Sequence, residues 1–414
     1  MKKPFLGSTA LNSRDVGESD MFVNESLDND TGRYLVTLPD GEKSFAELNK
    51  IFRNKLGLKI TSSADFKESV YSEDEIADAE VLIFKELGIA LLGPEDDGKA
   101  DRFKSLDNSA IIKNEQIVFA SAIPNSPTST WGIRETNTLM SNFTGRNVKV
   151  AVLDTGFAIG HPDFVGRSVL TASFVPGELV NDGHGHGTHC IGTSCGNIDA
   201  TGVRYGVARN AKIYAGKVLN NAGSGAQAWI LGGMEWAGKK KCKVVSMSLG
   251  SAGSATFDPA YEKAAKYVLS RGGIVVAAAG NASQRSLGFI APVGSPANCP
   301  SILAVAALDG NLVGGAAVLS VANFSCGSRF TDPGCEVNIA APGVGVYSAW
   351  PMPTRNRSIS GTSMACPHVA GLLALLWEQF PAFTPAQIIV HLMADAQPLA
   401  FPNTDVGVGL ALAF

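Results

Sequence analysis

Residues 360–377 read SGTSMACPHVAGLLALLW, a run that is apolar on almost every side and predicts a buried helix. Pro367 stands near its start, where the missing N–H of a proline costs little. This places Ser363 at the helix N-terminus, where free amides and the positive end of the helix dipole can hold a developing oxyanion. A helix-capping serine is the plain alternative. The pattern is not the GxSxG of an α/β-hydrolase, because residue 365 is alanine.

Upstream of this helix, apolar strands alternate with amphipathic helices. Near-continuous apolar segments predict strands buried on both faces, as in a parallel sheet, at 148–153, 213–219, 244–249, 274–279 and 302–307. Helical patterns lie between them at 226–239 and 259–270. This alternation predicts a three-layer α/β domain with a mostly parallel central sheet. In such domains ligands bind beyond the carboxyl ends of the strands.

Polar residues of types that commonly act in catalysis or metal binding follow the first of these strands. Asp154 comes directly after strand 148–153, and residues 182–189 read DGHGHGTH. The histidines suggest zinc at first sight, but no further carboxylate or distal histidine stands at ligand spacing. Taken alone, Asp154 also fits a helix cap or a turn. Gly185 and Gly187 fit a tight approach to a helix N-terminus, which would project one histidine into a cleft.

Three signatures follow one another along the chain: Asp-Thr-Gly at 154–156, His-Gly-Thr-His at 186–189 and Gly-Thr-Ser-Met-Ala-Cys-Pro-His at 361–368. The order Asp154, His186, Ser363 is that of subtilisin. Residues 131–414 closely resemble the subtilisin-like serine proteases over nearly their whole length. The resemblance implies a subtilisin-like fold and a serine endopeptidase that works through an acyl-enzyme on Ser363.

The resemblance assigns a role to each matching catalytic residue. Ser363 is the expected nucleophile, His186 the general base and then acid, and Asp154 the carboxylate that orients His186 and stabilises its imidazolium form. Asn281, in Ala-Ala-Ala-Gly-Asn, matches the amide of the oxyanion hole. Its side-chain NH₂ and the backbone N–H of Ser363 would bind the tetrahedral oxygen.

Substrate contacts are implied by the same resemblance, with protein or peptide substrates as partners. An extended peptide is expected to add as a strand between two edges of the cleft. The matching residues are Gly223, Ser224 and Gly225 on one edge and Ser248, Leu249 and Gly250 on the other. Gly294 falls at the floor of the main specificity pocket, where it leaves room for a large apolar side chain. Residues 281–307 contain no Asp or Glu, which argues against a preference for Arg or Lys.

Calcium is the usual ion of the family. Asp163, nine residues after Asp154, matches a common ligand position, and Asn197 in the loop 196–201 offers a further oxygen. The loop departs from a clean family match, and a plain surface loop is the alternative. No organic cofactor is expected.

The residues before the catalytic region divide into three parts. Residues 1–32 predict a disordered leader, and residues 121–130 have the composition of a linker. Between them, residues 33–120 predict a small α+β ferredoxin-like unit of the order β-α-β-β-α-β. Its strands are predicted at 34–38, 81–84, 89–92 and 110–120, and its helices at 44–56 and 97–106.

By position and size, residues 33–120 resemble the inhibitor-like propeptide of the family. This implies a self-processing zymogen, cleaved between Ala120 and Thr130, whose prodomain inhibits the catalytic domain at 131–414. Residues 1–128 carry 23 acidic and 15 basic side chains, a net of −8, and residues 129–414 carry 15 and 19, a net of +4. Opposite charge favours association between the two parts.

Two other functions use the same fold. A transpeptidase or peptide cyclase needs the same residues and a cover over the leaving-group side, but the sequence has no large insertion that would form one. A catalytically silent scaffold is opposed by the intact Asp154, His186, Ser363 and Asn281. Hydrolysis, ligation or no reaction of a peptide would distinguish the three.

The charge pattern and the hydropathy of the sequence limit the classes of partner that we expect this protein to bind. The tight basic cluster Lys239, Lys240, Lys241 and Lys243 fits a solvated helix end and does not favour nucleic-acid binding. No run reaches eighteen apolar residues, so no membrane span is predicted. The N-terminal Met-Lys-Lys is not followed by the apolar segment of an ordinary secretory signal. This leaves the cytosol, export by another route, or a start further upstream. We expect a monomer.

Overall fold

The computed structural model describes residues 30–37, 49–62, 80–84, 89–92, 111–116, 128–251, 253, 255–313, 316–330 and 334–414. The chain forms two compact units, Met1–Ala120 and Ser121–Phe414. Three predictions lie outside the described residues: the leader at 1–32 apart from its last three residues, the helix at 97–106, and most of the linker at 121–130.

The first unit contains a five-stranded sheet in the order β2-β3-β4-β1-β5. Its strands are β1 (Asp30–Thr37), β2 (Ile60–Ser62), β3 (Val81–Phe84), β4 (Ile89–Leu92) and β5 (Ile111–Gln116). Strand β1 is antiparallel to β4 and β5, and β2 is parallel to β3. A π-helical turn at Ile51–Lys55 falls within the predicted helix 44–56, and its Phe52 joins Val36 and Val81 in a buried cluster. The sequence does not predict β2, because three residues are too few to show an alternating pattern.

The second unit is built on an eight-stranded sheet in the order β12-β11-β10-β9-β6-β8-β7, with β13 paired to β11. Its strands are β6 (Lys149–Asp154), β7 (Val169–Ser173), β8 (Lys212–Lys217), β9 (Val244–Met247), β10 (Ile274–Ala278), β11 (Ile302–Val313), β12 (Ala316–Val321) and β13 (Ile339–Pro342). Neighbouring strands are parallel except β11 and β12. The predicted mostly parallel sheet is confirmed. Strands β14 (Val346–Ala349) and β15 (Asn356–Ile359) form a separate antiparallel hairpin.

Helices cover both faces of this sheet. They are α1 (Trp131–Glu135), α2 (His186–Cys195), α3 (Gln227–Lys239), α4 (Pro259–Ser270), α5 (Thr362–Gln379), α6 (Pro385–Ala394) and α7 (Asn403–Val406). Side chains alternate across the central strand β6. Val150 and Val152 join a buried cluster with residues of α2 and α5, whereas Ala151 and Leu153 join a second cluster with residues of α3 and α4. The three-layer α/β domain predicted from the sequence is therefore confirmed.

Helix α5 is buried from Met364 to Trp377, as its apolar sequence predicts. Pro367 lies further into the helix than the sequence suggested, at its sixth residue. Proline has no N–H to donate to the carbonyl four residues before it, so the carbonyl of Ser363 loses its partner within the helix. The hydroxyl of Ser248 donates to that carbonyl at 2.8 Å, and the thiol of Cys190 lies 3.5 Å from it. Because the proline leaves this carbonyl free, the start of α5 contacts both the segment after β9 and helix α2.

The parallel strands bring several polar residues to one edge of the sheet. Asp154 is the last residue of β6, Ser248 follows β9, and Asn281 follows β10. The carboxyl ends of parallel strands point the same way, so these residues meet at the edge where ligands bind in such sheets. No helix within the described residues has the length and apolar character to cross a membrane.

Candidate active site

A short contact joins the end of β6 to the start of α2. The buried Asp154 places Oδ1 2.7 Å from Nδ1 of His186 and accepts the backbone N–H of Thr155 with the same oxygen. His186 is the first residue of α2, and Gly185 before it has a φ of 105°, which disfavours other residues. A Cβ at Gly185 would also come within 2.4 Å of the Trp350 ring. The tight approach predicted at this glycine is present.

The two nitrogens of the His186 ring have different surroundings. Burial of the ring lowers the pKa of His186, but the charge and hydrogen bond of Asp154 outweigh it and raise the pKa well above 6.5. An ionised carboxylate can only accept, so Nδ1 carries the proton. Nε2 is then the nitrogen that can take a proton from a group in the cleft.

Asp182, which the sequence analysis did not single out, holds the loop before His186 in place through hydrogen bonds. Its Oδ1 accepts the hydroxyl of Thr155 at 2.9 Å and the amide of Gly185 at 2.8 Å. Its Oδ2 accepts both the amide and the hydroxyl of Thr188. Burial raises the pKa of Asp182, but these hydrogen bonds outweigh burial and lower it below the usual value. The signal in the sequence is an Asp shortly before a helix start, which is typical of a capping residue.

Ser363 is the second residue of α5 and so lies in its N-terminal turn. Its Oγ donates to the carbonyl of Ser248 at 3.3 Å, and within the described residues it makes no hydrogen bond to His186. The side chains of Ser363 and His186 nevertheless line the same cleft. A loose contact between nucleophile and base is common in the absence of substrate.

The side-chain amide of Asn281 is held in one orientation. Its Oδ1 accepts the backbone N–H of Thr362 at 2.8 Å and the hydroxyl of Thr362 at 2.9 Å. The same hydroxyl accepts the N–H of Gly280 at 3.1 Å. With Oδ1 engaged, Nδ2 is left to donate, and a Cβ built at Gly361 would lie 3.4 Å from it. The buried Thr362 is a second residue that sequence reasoning missed. It lies inside the third signature, directly before the candidate nucleophile Ser363.

An open cleft of about 900 Å³ runs past these residues. The predicted residues among its lining are His186, Ser363, Asn281, Gly223, Ser224, Gly225, Ser248, Leu249, Gly250 and Gly294. Asp154 does not line the cleft itself. It forms a hydrogen bond with His186, which does. In the part of the chain that the structure describes, the peptide groups of Gly225, Leu249 and Gly250 make no hydrogen bonds. Two segments of the cleft lining, 223–225 and 248–250, therefore contain free backbone groups.

Comparison with known proteins agrees with this geometry. A model described as the subtilase family matches residues 145–410. The chain belongs to the subtilase family. Subtilisin DY of Bacillus licheniformis is 42% identical over 259 residues, which cover 62% of this chain and 86% of the relative. Subtilisin Savinase of Lederbergia lenta is 41% identical over 288 residues, 68% of this chain and 96% of the relative. Among solved structures, an S41 psychrophilic protease matches with a TM-score of 0.61 and 32% identity, covering 70% of this chain and all of its own. This subtilase is a serine-type endopeptidase.

Subtilases commonly bind structural calcium, and Asp163 is the first ligand that the sequence predicts. Its Oδ1 lies 2.7 Å from Nη2 of Arg355, and its Oδ2 accepts the hydroxyl of Tyr205 at 3.0 Å. A guanidinium thus already neutralises the carboxylate, so this site does not fit a calcium ion. The side-chain oxygen of Asn197 is buried without a hydrogen-bond partner among the described residues, but one free oxygen does not make a calcium site. In this structure the carboxylate of Asp163 is therefore part of an ion pair with Arg355.

Two further histidines, His189 and His368, and the nearby Cys190 are buried in the core of this subtilase. Burial lowers the pKa of His189 to about 3 and that of His368 to about 4, so both rings stay neutral at pH 7. The Sγ of Cys190 lies 3.8 Å from Nδ1 of His186. Burial raises the pKa of this thiol, which keeps it in the unreactive protonated form. Among the described residues, the one cluster with three potential metal ligands is Asp154, His186 and Cys190. Of the histidine run at 184–189, only His186 belongs to this cluster.

Proposed function

We propose that the cleft hydrolyses peptide bonds by acyl transfer through Ser363. The serine oxygen attacks the scissile carbonyl carbon while Nε2 of His186 takes the hydroxyl proton, and Asp154 stabilises the imidazolium. The imidazolium then protonates the leaving nitrogen, the C–N bond breaks, and an ester remains on Ser363. Water deprotonated by His186 cleaves this ester and restores the free serine. The 2.7 Å contact between Asp154 and His186, in the cleft that holds Ser363, carries this proposal.

The tetrahedral oxyanion is proposed to bind between Nδ2 of Asn281 and the backbone N–H of Ser363. The Thr362 contacts leave Nδ2 of Asn281 free and fix its direction before the substrate arrives. The amide of Ser363 belongs to the first turn of α5, whose N–H groups have no partner within the helix. Donors aligned in advance stabilise the transition state at no cost of reorganisation.

The substrate is proposed to be an extended segment of a protein or peptide. It would lie as a strand between Gly223–Gly225 and Ser248–Gly250, where free peptide groups of Gly225, Leu249 and Gly250 support pairing on both sides. The side chain of P1, the residue that supplies the scissile carbonyl, would enter the pocket floored by Gly294. A Cβ at Gly294 would come within 2.6 Å of the Ser251 carbonyl, so the floor is closely packed as well as free of side chains.

We further propose that the chain is a self-processing zymogen whose residues 33–120 inhibit the catalytic domain until the linker 121–130 is cut. Residues 1–128 carry a net charge of −8 and residues 129–414 a net charge of +4, which supports an association within the chain. All residues assigned to the reaction come from residues 154–363 of one chain, which supports a catalytic domain that acts as a monomer.

A peptide library with varied P1 residues tests the proposal, with products identified by mass spectrometry for the wild-type protein and Ser363→Ala. We expect hydrolysis after apolar or aromatic P1 residues. Loss of the nucleophile should leave only roughly 10³–10⁴-fold catalysis over water. Ordinary turnover by Ser363→Ala would end the serine mechanism. Ligated products would indicate a transpeptidase, and strict cleavage after Arg or Lys would contradict the pocket assignment.

A further inference from the structure

The imidazole of His184 lines the cleft but has no part in the reaction described above. The cleft lining includes His184, His186 and Asp258. Asp258 caps helix α4 and accepts the side chain of Gln227, so its oxygens are occupied. His184 is exposed, and within the described chain its ring makes no hydrogen bond. Its imidazole is thus free to meet a substrate.

The ring of His184 stands between the general base and one substrate edge. Its centroid lies 6.2 Å from that of His186, in an edge-to-face arrangement. On its other side, a Cβ built at Gly223 would lie only 2.9 Å from Nε2 of His184. Any chain paired along Gly223–Gly225 with its scissile carbonyl at Ser363 must pass this ring.

The pleat of a bound strand decides which substrate residue meets His184. Successive side chains of an extended chain point to opposite faces. If the P1 side chain enters the pocket above Gly294, the side chain before it (P2) points to the opposite wall. His186 and His184 line the same cleft side by side, and we assign them to that wall.

The charged groups described near His184 have hydrogen-bond or ion-pair partners of their own. Asp182, on the same loop, accepts hydrogen bonds from Thr155, Gly185 and Thr188, and Oδ1 also accepts the backbone N–H of His184 at 3.1 Å. Across the loop, the buried ammonium of Lys217 is paired with Glu178 at 3.1 Å.

Among the described residues that line the cleft, the other histidine is His186. It becomes positive during the reaction, so a carboxylate on the substrate would offset the repulsion between two imidazolium rings.

We infer that His184 makes this subtilase select an acidic residue at P2, and that the preference appears when His184 is protonated. Imidazole is the side-chain type whose charge commonly changes between about pH 5 and 8. A carboxylate paired with an exposed imidazolium should raise kcat/KM by about two- to five-fold, the range of a solvent-exposed ion pair. The inference depends on the strand-like substrate path of the proposed function.

Two peptides that differ only by Glu or Gln at P2 test the inference. The ratio of their kcat/KM values, measured between about pH 5.5 and about pH 8.5, cancels the titration of His186 because both peptides share it. We expect a ratio of about two to five at the acidic end that falls toward one as pH rises. His184→Asn should flatten the ratio near one, and His184→Lys should keep it high across the range. A second pair, with the same difference placed far from the scissile bond, should give a flat ratio with all three proteins.

The outcomes separate this inference from the proposed function. If neither peptide is cleaved, the proposed function fails. If both are cleaved with a flat ratio in the wild-type protein, only the His184 assignment is overturned. A pH-dependent ratio that persists in His184→Asn would also overturn it, because another group would then read the substrate charge.

Discussion

At the scale of single residues, the site depends on groups that are oriented before a substrate arrives. Asp154 holds the proton of His186 on Nδ1, and Thr362 turns the amide of Asn281 so that its NH₂ is free. Both arrangements are formed by hydrogen bonds within the chain and do not depend on contacts with a substrate. Such preorganisation accounts for a large part of the rate acceleration in many enzymes.

Replacing Asn281 with leucine tests the oxyanion donor, because the two side chains have nearly the same size. Asn281→Leu should lower kcat by about 10²–10³ with little change in KM, since the lost hydrogen bond forms mainly in the transition state. Steady-state kinetics with a good peptide substrate measure the effect. Asn323→Leu makes the same chemical change at an exposed asparagine outside the cleft lining and should leave kcat unchanged. An effect of Asn281→Leu confined to KM would assign the residue to substrate binding.

Ionisation of His186 should set the low-pH limit of activity. Only the neutral ring can accept the serine proton, so raising the pKa of His186 moves the acidic limb of the kcat/KM profile to higher pH. We expect its midpoint above pH 6.5, because Asp154 raises the pKa beyond that value. Asp154→Asn should shift the midpoint downward and cost about 10⁴-fold in kcat. A wild-type midpoint below pH 6.5, or no shift in the variant, would contradict the assigned coupling.

Catalytic candidates were predictable where the chemistry lies in short contiguous signatures, as for Asp154, His186 and Ser363. Asp182 and Thr362 were not, because each acts by hydrogen-bonding to residues that the fold brings close. The ion pair of Asp163 was not predictable for the same reason. Its partner Arg355 lies 192 residues away along the chain, and no pattern around Asp163 reveals it.

At the scale of elements, the Asp163 ion pair fastens the β14–β15 hairpin to the loop after β6. Arg355 lies in the hairpin turn with a φ of 64°, a conformation that favours glycine and is held here by its contacts. Its guanidinium bonds Asp163 twice, at 2.7 and 3.2 Å, and its carbonyl is 2.8 Å from Nε2 of His161. The positive charge that faces Asp163 is thus supplied by a residue of the chain itself, the guanidinium of Arg355.

Thermal unfolding of Arg355→Gln tests this junction. The variant leaves the buried carboxylate of Asp163 without its cation, so Tm should fall below that of the wild-type protein. Arg209→Gln, the same change at an exposed arginine, should leave Tm nearly unchanged. A calcium chelator should not lower the wild-type Tm through this site. Marked destabilisation by the chelator, together with no effect of Arg355→Gln, would restore the calcium interpretation.

Strands and helices with strong periodicity were predicted to within a few residues, because burial on both faces leaves an unmistakable apolar run. Helix 259–270 was predicted with the bounds that the structure shows. The sequence analysis did not identify β12 or the β14–β15 hairpin, whose pairing depends on partners elsewhere in the fold. The position of Pro367 was also misjudged, since only the structure shows that Ser248 and Cys190 take over the carbonyl it leaves free.

At the scale of the whole molecule, two units of opposite net charge share one chain. Adding the folded fragment 33–120 to an isolated 131–414 enzyme should inhibit peptide hydrolysis. Association should slow as salt rises, because charges are screened beyond about 8 Å at physiological ionic strength. Unchanged turnover at micromolar fragment, with the fragment shown to be folded and uncleaved, would contradict the prodomain assignment. It would leave the catalytic assignment intact, since none of the proposed catalytic residues lies in that segment.

The most direct test of the central claim is to trap the acyl-enzyme. The protein is mixed with an activated ester of an apolar amino acid, quenched in acid within the first turnovers, digested and mapped by mass spectrometry. The account predicts the mass of the acyl group on the peptide that contains Ser363, released over time at neutral pH and absent in Ser363→Ala. Turnover of the ester by Ser363→Ala at the wild-type rate, or an acyl group on a different residue, would contradict it.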